Sequence, residues 1–314
     1  MLSLIMNHYG LFIKLMGRCV PINLLSVLEN WFEFSVTCVK WGSVFSRSFS
    51  LACGVRQGGV LSPHLFALYI DSVVQRVRAS NVGCYYKLTC VSILLYADDI
   101  LLIAPSITSL QQLLLVCEAE LNSVDMSINV RKSTCMRVGP RFNNICSHII
   151  TSDGRKLLWS NEIRYLGVIL KSARQYSCSF GHAKRSFYRA FNAVFGKVGR
   201  VASEAVTVEL LKTKCLPVLY YGLEACPLNK SDVKSLDYVL YSSFSKIFCT
   251  NCKDIINDCM VYFGCHSIDT VLQKRRAKFL TQYALSENSV CKLFKHSALH
   301  ELDAMHIAHA IPLN

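Results

Sequence analysis

At 314 residues the chain can hold one large or two moderate domains with a sizeable core, and its 34 Lys and Arg against 21 Asp and Glu leave a net charge of +13, which favours a polyanionic partner. Sixteen cysteines scattered without an even framework argue against a secreted disulfide scaffold and for reduced intracellular thiols. Lys14, Arg18 and Pro21 interrupt the apolar amino end, and no uncharged run reaches about eighteen residues, so the sequence points away from secretion and from a membrane and does not choose between nucleus and cytoplasm.

Phe34 to Trp41 and Val44 to Leu51 interleave β-branched and aromatic residues with Ser, Thr and Arg, and predict two strands of a sheet joined at Gly42-Ser43. Ser62 and Pro63 then open a helix, the serine as cap and the proline at the first position. Phe66, Tyr69, Ile70, Val73 and Val77 form its apolar stripe, and Asn81 and Gly83 end it. Ser92 to Ala104 reads as a β-hairpin, with Ser92-Ile93-Leu94-Leu95 before Tyr96-Ala97-Asp98-Asp99 and Ile100-Leu101-Leu102-Ile103-Ala104 after it. Ser109-Leu110-Gln111-Gln112 predicts a capping box for a helix over 109–124, whose core face is Leu110, Leu113, Leu114, Cys117, Leu121 and Val124.

Two helices on one face of an antiparallel sheet make an α+β layer. From about Lys171 onward helical periods dominate, which places a domain change there. Between His182 and Arg200 the residues Phe187, Phe191, Val194, Phe195 and Val198 form a stripe, with Lys184, Arg185 and Arg189 on the remaining surface. That surface suits phosphates or plain solvent equally, whereas the run Lys274-Arg275-Arg276 with Lys278 reads more readily as a solvated face. Cys249-Thr250-Asn251-Cys252 with Cys259, Cys265 and His266 opens like a zinc site, but the second pair has irregular spacing and the segment reads as helix, so no zinc is expected.

Asp98 and Asp99 carry the chemistry. Two adjacent carboxylates between apolar flanks are costly to bury unless a cation meets them, and hard divalent ions of the Mg²⁺ type, used in pairs by phosphoryl-transfer enzymes, suit them. Alone, such a pair is more often a solvated turn, and the surrounding blocks change that weighting. Upstream lies Cys53-Gly54-Val55-Arg56-Gln57-Gly58-Gly59-Val60-Leu61-Ser62-Pro63-His64-Leu65-Phe66, followed by Tyr69-Ile70-Asp71. Downstream come Asp125-Met126-Ser127-Ile128-Asn129 with Lys132-Ser133, then Ile163-Arg164-Tyr165-Leu166-Gly167-Val168, then Lys214-Cys215-Leu216-Pro217-Val218-Leu219-Tyr220-Tyr221-Gly222-Leu223-Glu224 and Lys230-Ser231-Asp232.

In this order, over roughly residues 7–280, these blocks resemble the reverse transcriptases of non-LTR (LINE-like) retrotransposons. The resemblance implies a polymerase palm over 1–170 followed by an all-helical thumb-like or connection-like region over 171–314. It implies RNA-directed DNA polymerisation by two-metal nucleotidyl transfer, with two Mg²⁺ ions, an RNA template, a DNA primer and deoxynucleotides. Asp98 and Asp99 stand at the metal and catalytic positions, Tyr96 and Ala97 shape the turn near the primer end, and Lys132 lies near the incoming triphosphate. Arg56, Gln57 and Gly58 correspond to the loop against template and nucleotide pocket, Tyr165, Leu166 and Gly167 to the turn on the primer backbone, and Lys184, Arg185 and Arg189 to the thumb surface. Without the family, Lys132 reads as a loop lysine, Gly58-Gly59 as a turn before a helix, and Leu166-Gly167 as a strand-end turn.

The pattern breaks at the amino end. The family has its first metal-binding aspartate just before the Asn-His found here as Asn7-His8, whereas residues 1–6 contain no carboxylate and the first acidic residue is Glu29. The fingers and the first catalytic strand are therefore expected to be missing, together with the endonuclease domain, and the chain is expected to be a truncated, inactive polymerase or a non-catalytic nucleic-acid-binding remnant. The sequence says nothing of oligomeric state.

Overall fold

Asn7 starts the first helix: its side-chain oxygen accepts from the amides of Tyr9 and Gly10, which caps α1 (His8–Gly17). The computed structural model describes residues 6–51, 53–54, 58–199 and 201–309, and the chain forms two compact units. The first comprises residues up to Cys135 with Ile145–Trp159, the second Met136–Asn144 with Ser160 onward.

In the first unit, α2 (Ile22–Glu33) buries Leu25 and Leu28 and leaves Ile22, Val27 and Trp31 exposed. The two continuous strands expected over 34–41 and 44–51 are instead broken into two short ladders. β1 (Val36–Thr37) pairs with β4 (Phe49–Ser50), and β2 (Lys40–Trp41) with β3 (Val44–Phe45). Ser46 makes the break, because its hydroxyl, not a carbonyl, accepts from the Val39 amide.

Next comes α3 (Ser62–Ala79), in which Ser62 is already helical and Leu61 precedes it without a side-chain cap. Proline therefore sits one position further in than expected, still within the first turn where its missing N–H costs no bond. Asn81 and Gly83 follow at φ +54 and +103, as a chain leaving a helix requires. A hairpin of β5 (Tyr85–Tyr86) and β6 (Thr89–Cys90) leads to a second, β7 (Ile93–Tyr96) with β8 (Asp99–Leu102). Then α4 (Ile107–Asn122) starts before the expected Ser109, because the Ser106 hydroxyl accepts from the Ser109 amide and takes the cap.

The stripes read from the sequence do form the core. Tyr69, Ile70, Val73 and Val77 of α3 meet Leu113, Cys117 and Leu121 of α4, Ile93 of β7, and Leu11 and Leu15 of α1, all buried. Each such aliphatic side chain contributes about 1.5–3 kcal/mol when fully buried. The single antiparallel sheet expected beneath the helices is not present among the described residues: β7 and β8 pair only with each other. A separate sheet of β9 (Thr134–Cys135), β10 (Ile149–Ile150) and β11 (Lys156–Trp159) includes a parallel pair, Leu158 opposite Thr134 and Trp159 opposite Cys135. Strands of two to four residues are too short to carry a wide sheet, and helix packing supplies the cohesion.

The second unit begins with an antiparallel meander, β12 (Glu162–Tyr165), β13 (Val168–Lys171) and β14 (Ser177–Ser179). Its Val168 and Leu170 pack against the helical core that follows. The part after Lys171 is not wholly helical, since β14 lies in it. Beyond the meander come α5 (Gly181–Val198), α6 (Glu204–Leu210), α7 (Leu216–Tyr220), α8 (Lys230–Ile247), α9 (Lys253–Tyr262), α10 (Ile268–Leu285) and α11 (Ser289–His309). Phe187, Phe191, Leu211, Leu219, Leu236, Leu240 and Phe244 are buried together.

Between α6 and α7 the helix widens into a π-turn over Leu211–Cys215, so that helical backbone runs from Glu204 to Tyr220. Pro217 is the cause: it has no N–H for the Thr213 carbonyl and its ring crowds that carbonyl, so the backbone ahead of it takes a wider turn. A reciprocal capping box of Asn229 and Asp232 starts α8. Cys249 and Cys252 lie between α8 and α9, outside helix, contrary to the helical placement expected for them.

Candidate active site

The Ile93–Leu102 hairpin positions the acidic pair. Its register is Ile93 opposite Leu102, Leu94 opposite Leu101, Leu95 opposite Ile100 and Tyr96 opposite Asp99, with Ala97 and Asp98 left as the two turn residues. The Ile103 amide extends the ladder by donating to the Ser92 carbonyl at 2.8 Å. Leu95, Ile100 and Leu102 pack on the core that α3 and α4 share. Ala97 takes φ +49, a conformation that costs a non-glycine residue roughly 1–2 kcal/mol. Both carboxylates are half-buried while Tyr96 and Ala97 are exposed. Among the described residues neither Asp98 nor Asp99 belongs to an ion pair.

The base of this hairpin is fixed from behind. Ser92 is buried and its hydroxyl donates to the carbonyls of Val82 and Cys84 at 3.2 and 3.1 Å. Gly83 makes room for it, since a Cβ there would stand 2.3 Å from the Ser92 Oγ. Sequence reasoning gave Gly83 only a helix-ending role and missed this contact.

Two other carboxylates of the first unit are already engaged. Asp71 pairs with Arg18 and accepts from Gln75 at 2.6 Å. Asp125 accepts from the Asn7 side-chain amide at 2.9 Å. Asn7 also forms an antiparallel bridge with Cys53, the Gly54 amide donates to the Met6 carbonyl at 2.7 Å, and a ring nitrogen of His8 (Nε2) lies 2.8 Å from the Gly54 carbonyl. The buried Tyr69 hydroxyl joins this knot by donating to the Val124 carbonyl at 2.6 Å, and burial pushes its pKa up. Lys14 donates to the Tyr69 carbonyl and the Ser72 hydroxyl, both at 2.6 Å, and burial lowers its pKa. The knot ties the chain entering the Gly-rich loop to α1 and to the end of α4. The sequence marks Asn7-His8, Cys53-Gly54 and Asp125 as separate blocks and gives no sign that they meet.

Of that loop, Arg56 and Gln57 lie outside the described residues. Gly58 takes φ +81 with open space around it, so the backbone conformation alone calls for glycine there. Lys132 is exposed in the turn closed by its own amide to the Asn129 carbonyl, 3.0 Å. Among the described residues no three His, Cys, Asp or Glu side chains gather to hold an ion.

In the second unit Tyr165-Leu166-Gly167 is the hairpin turn between β12 and β13. Leu166 and Gly167 both take positive φ, +46 and +85, the form that matches strand twist. Tyr221 clamps it: its hydroxyl donates to the Leu166 carbonyl at 3.0 Å, and a Cβ on Gly167 would lie 2.7 Å from its ring. Lys184 donates to the Ser235 hydroxyl at 2.6 Å and so ties α5 to α8, whereas Arg185 and Arg189 are exposed. In the run 274–278, Arg275 makes a two-pronged pair with Glu224 at 3.0 and 3.1 Å and Arg276 meets Glu301 at 2.5 Å. Those two arginines brace α10 within its own unit.

Comparison with known proteins matches residues 13–170, half of the chain, to the family described as reverse transcriptase (RNA-dependent DNA polymerase). A retrovirus-related Pol polyprotein from the type-1 retrotransposable element R2 of Popillia japonica is 27% identical over 205 residues, 63% of this chain and 33% of that protein. The corresponding protein of the type-2 element R2DM of Drosophila melanogaster is 24% identical over 181 residues, 55% of this chain and 17% of its own length. That of the type-1 element R2 of Nasonia vitripennis is 28% identical over 134 residues, 43% of this chain and 13% of its own length. The chain thus spans a third or less of these relatives.

Proposed function

The chain belongs to the reverse transcriptase (RNA-dependent DNA polymerase) family, and from that premise we propose that it is palm and thumb of a non-LTR retrotransposon polymerase, with Asp98 and Asp99 as its remaining metal ligands. The hairpin that sets Asp98 in its tight turn and Asp99 at the start of the following strand carries this reading. The donors suit a hard divalent ion: two adjacent carboxylates, half-buried and without an ion pair among the described residues. Mg²⁺, when held there, supplies charge neutralisation for the attacking hydroxyl and the leaving pyrophosphate.

The chain's own residues do the rest. Asp98 presents its oxygens from the turn and Asp99 from the first residue of β8, while Tyr96 and Ala97 give the exposed face on which a primer end rests. Lys132 neutralises triphosphate charge. The template is assigned to Arg56, Gln57 and Gly58 by their place in the sequence, the primer backbone to Tyr165, Leu166 and Gly167, and phosphates to Lys184, Arg185 and Arg189. In this assignment Arg185 and Arg189 contribute most, since they are exposed and Lys184 spends one donor on Ser235. RNA template, DNA primer and deoxynucleotides are the substrates.

Residues 1–314 alone should not extend a primer. A pair of ions needs a bridging carboxylate besides Asp98 and Asp99, and Asp71 and Asp125, the two that could be recruited, are held by Arg18 and Asn7. Losing that ligand removes on the order of 10³-fold in rate. Incorporation on a primed RNA template is measured for the chain, for the chain with an amino-terminal strand bearing the family's aspartate, and for that extended protein with Asp98→Asn. Synthesis is expected only in the second. Synthesis by the chain itself, lost on Asp98→Asn, would show that the chain completes its own site.

A non-catalytic reading is favoured by the charge of +13, with no three His, Cys, Asp or Glu side chains gathered to hold an ion among the described residues. On it the chain retains primer–template in a manner that weakens steeply with salt. Charge reversal at Arg185 and Arg189 weakens that retention for all sequences alike.

A further inference from the structure

The arm built from β1 to β4 exposes aromatic rings that no other described strand covers. At its tip Gly42 and Ser43 turn the chain, with Gly42 at φ +62, and the register sets Lys40 opposite Phe45 and Trp41 opposite Val44. Side chains alternate across a two-stranded ribbon, so one aromatic ring lies on each face. Trp41 is 85% exposed and Phe45 60%. The Lys40 ammonium stands over the Phe45 ring, 5.3 Å from its centroid, so it covers one face of that ring while Trp41 on the other side of the ribbon stays open. From Phe34 to Ile70 the sequence has no carboxylate, while Lys40 and Arg47 lie within the arm itself.

We propose that this arm is a second nucleic-acid contact, on which Trp41 stacks against a base of a single strand while Lys40 and Arg47 meet its phosphates. The proposal rests on the nucleic-acid reading above and extends it to a surface outside the acidic hairpin. Every base has a π face, so stacking of this kind tolerates any sequence, and it requires bases that are not already enclosed in a duplex. Charge decides among occupants. A groove for an apolar peptide or a second copy of the chain would not need two cations and a long stretch free of acids, whereas a phosphate backbone does.

The test uses the full chain and a labelled, unstructured oligonucleotide, beside a blunt primer–template duplex, with affinity read by anisotropy. Trp41→Ala is expected to weaken single-strand binding about tenfold and Trp41→Phe far less, with duplex affinity nearly unchanged. As an independent readout, Trp31→Phe and Trp159→Phe leave Trp41 as the sole tryptophan of the three, and its emission should be quenched on adding the single strand. Unchanged single-strand affinity in Trp41→Ala, beside intact duplex binding, overturns this inference and leaves the polymerase reading in place. Binding of neither nucleic acid by the native chain removes both. A Trp41 blue shift that follows protein concentration and ignores oligonucleotide assigns the arm to self-association and overturns the proposal.

Discussion

Gly167 is constrained twice, by a left-handed backbone and by the Tyr221 ring that a Cβ would approach to 2.7 Å. Gly167→Ala is expected to lower stability by about 1–3 kcal/mol, whereas Tyr221→Phe, which removes only a partly exposed hydrogen bond, should cost about 0.5–1.5 kcal/mol. Denaturant midpoints of the two variants check the order, and equal losses would mean that the ring does not clamp the turn. The sequence made Gly167 legible as a turn residue and left Tyr221 illegible, because the two lie more than fifty residues apart and no local pattern encodes such a contact. The same holds for Asn7 with Asp125 and for Lys184 with Ser235. A basic side chain reads as a phosphate ligand until a partner across the fold is seen.

Elements were legible where period and flanks agreed. The acidic hairpin has apolar residues on both sides of a short polar turn, and α3 and α4 carry unbroken stripes, so all three appear near the expected positions. Sheet extent was not legible, since the ladders are two to four residues long and pair through backbone groups that every sequence possesses. Helix starts slipped because serines compete for one cap: Ser106 and Ser109 precede the same run, and their hydroxyls lie 2.8 Å apart. Ser106→Ala is expected to destabilise by about 1 kcal/mol and Ser109→Ala by clearly less, measured by thermal unfolding. The opposite order would return the start of α4 to Ser109.

At the scale of the whole molecule the sixteen cysteines divide by environment. Cys19, Cys38, Cys53, Cys249 and Cys252 are exposed, whereas burial pushes the thiols of Cys117 and Cys226 up to about 12 and that of Cys135 to about 11. A thiol buried in this way stays protonated near neutral pH, and only the thiolate reacts. Titration of the native chain with a bulky thiol reagent at pH 8 should therefore label the five exposed residues quickly, and all sixteen only in denaturant. Fast reaction at Cys117 would mean that the core of the first unit opens. Among the described residues no helix is long and apolar enough to cross a membrane. Net charge and family were legible from composition and ordered blocks, whereas no local pattern shows that Val168 and Leu170 pack on the helical core that follows them.

The π-turn before Pro217 makes chain length itself a structural quantity. A helix advances about 100° for each residue, so one more residue between Leu211 and Cys215, where the wide turn already takes up the slack, would swing Leu216 and Leu219 off the buried face and carry Tyr221 away from the Leu166 carbonyl. The stretch can change its letters more freely than its count, and the reach of one tyrosine to one turn is kept by arithmetic as much as by chemistry.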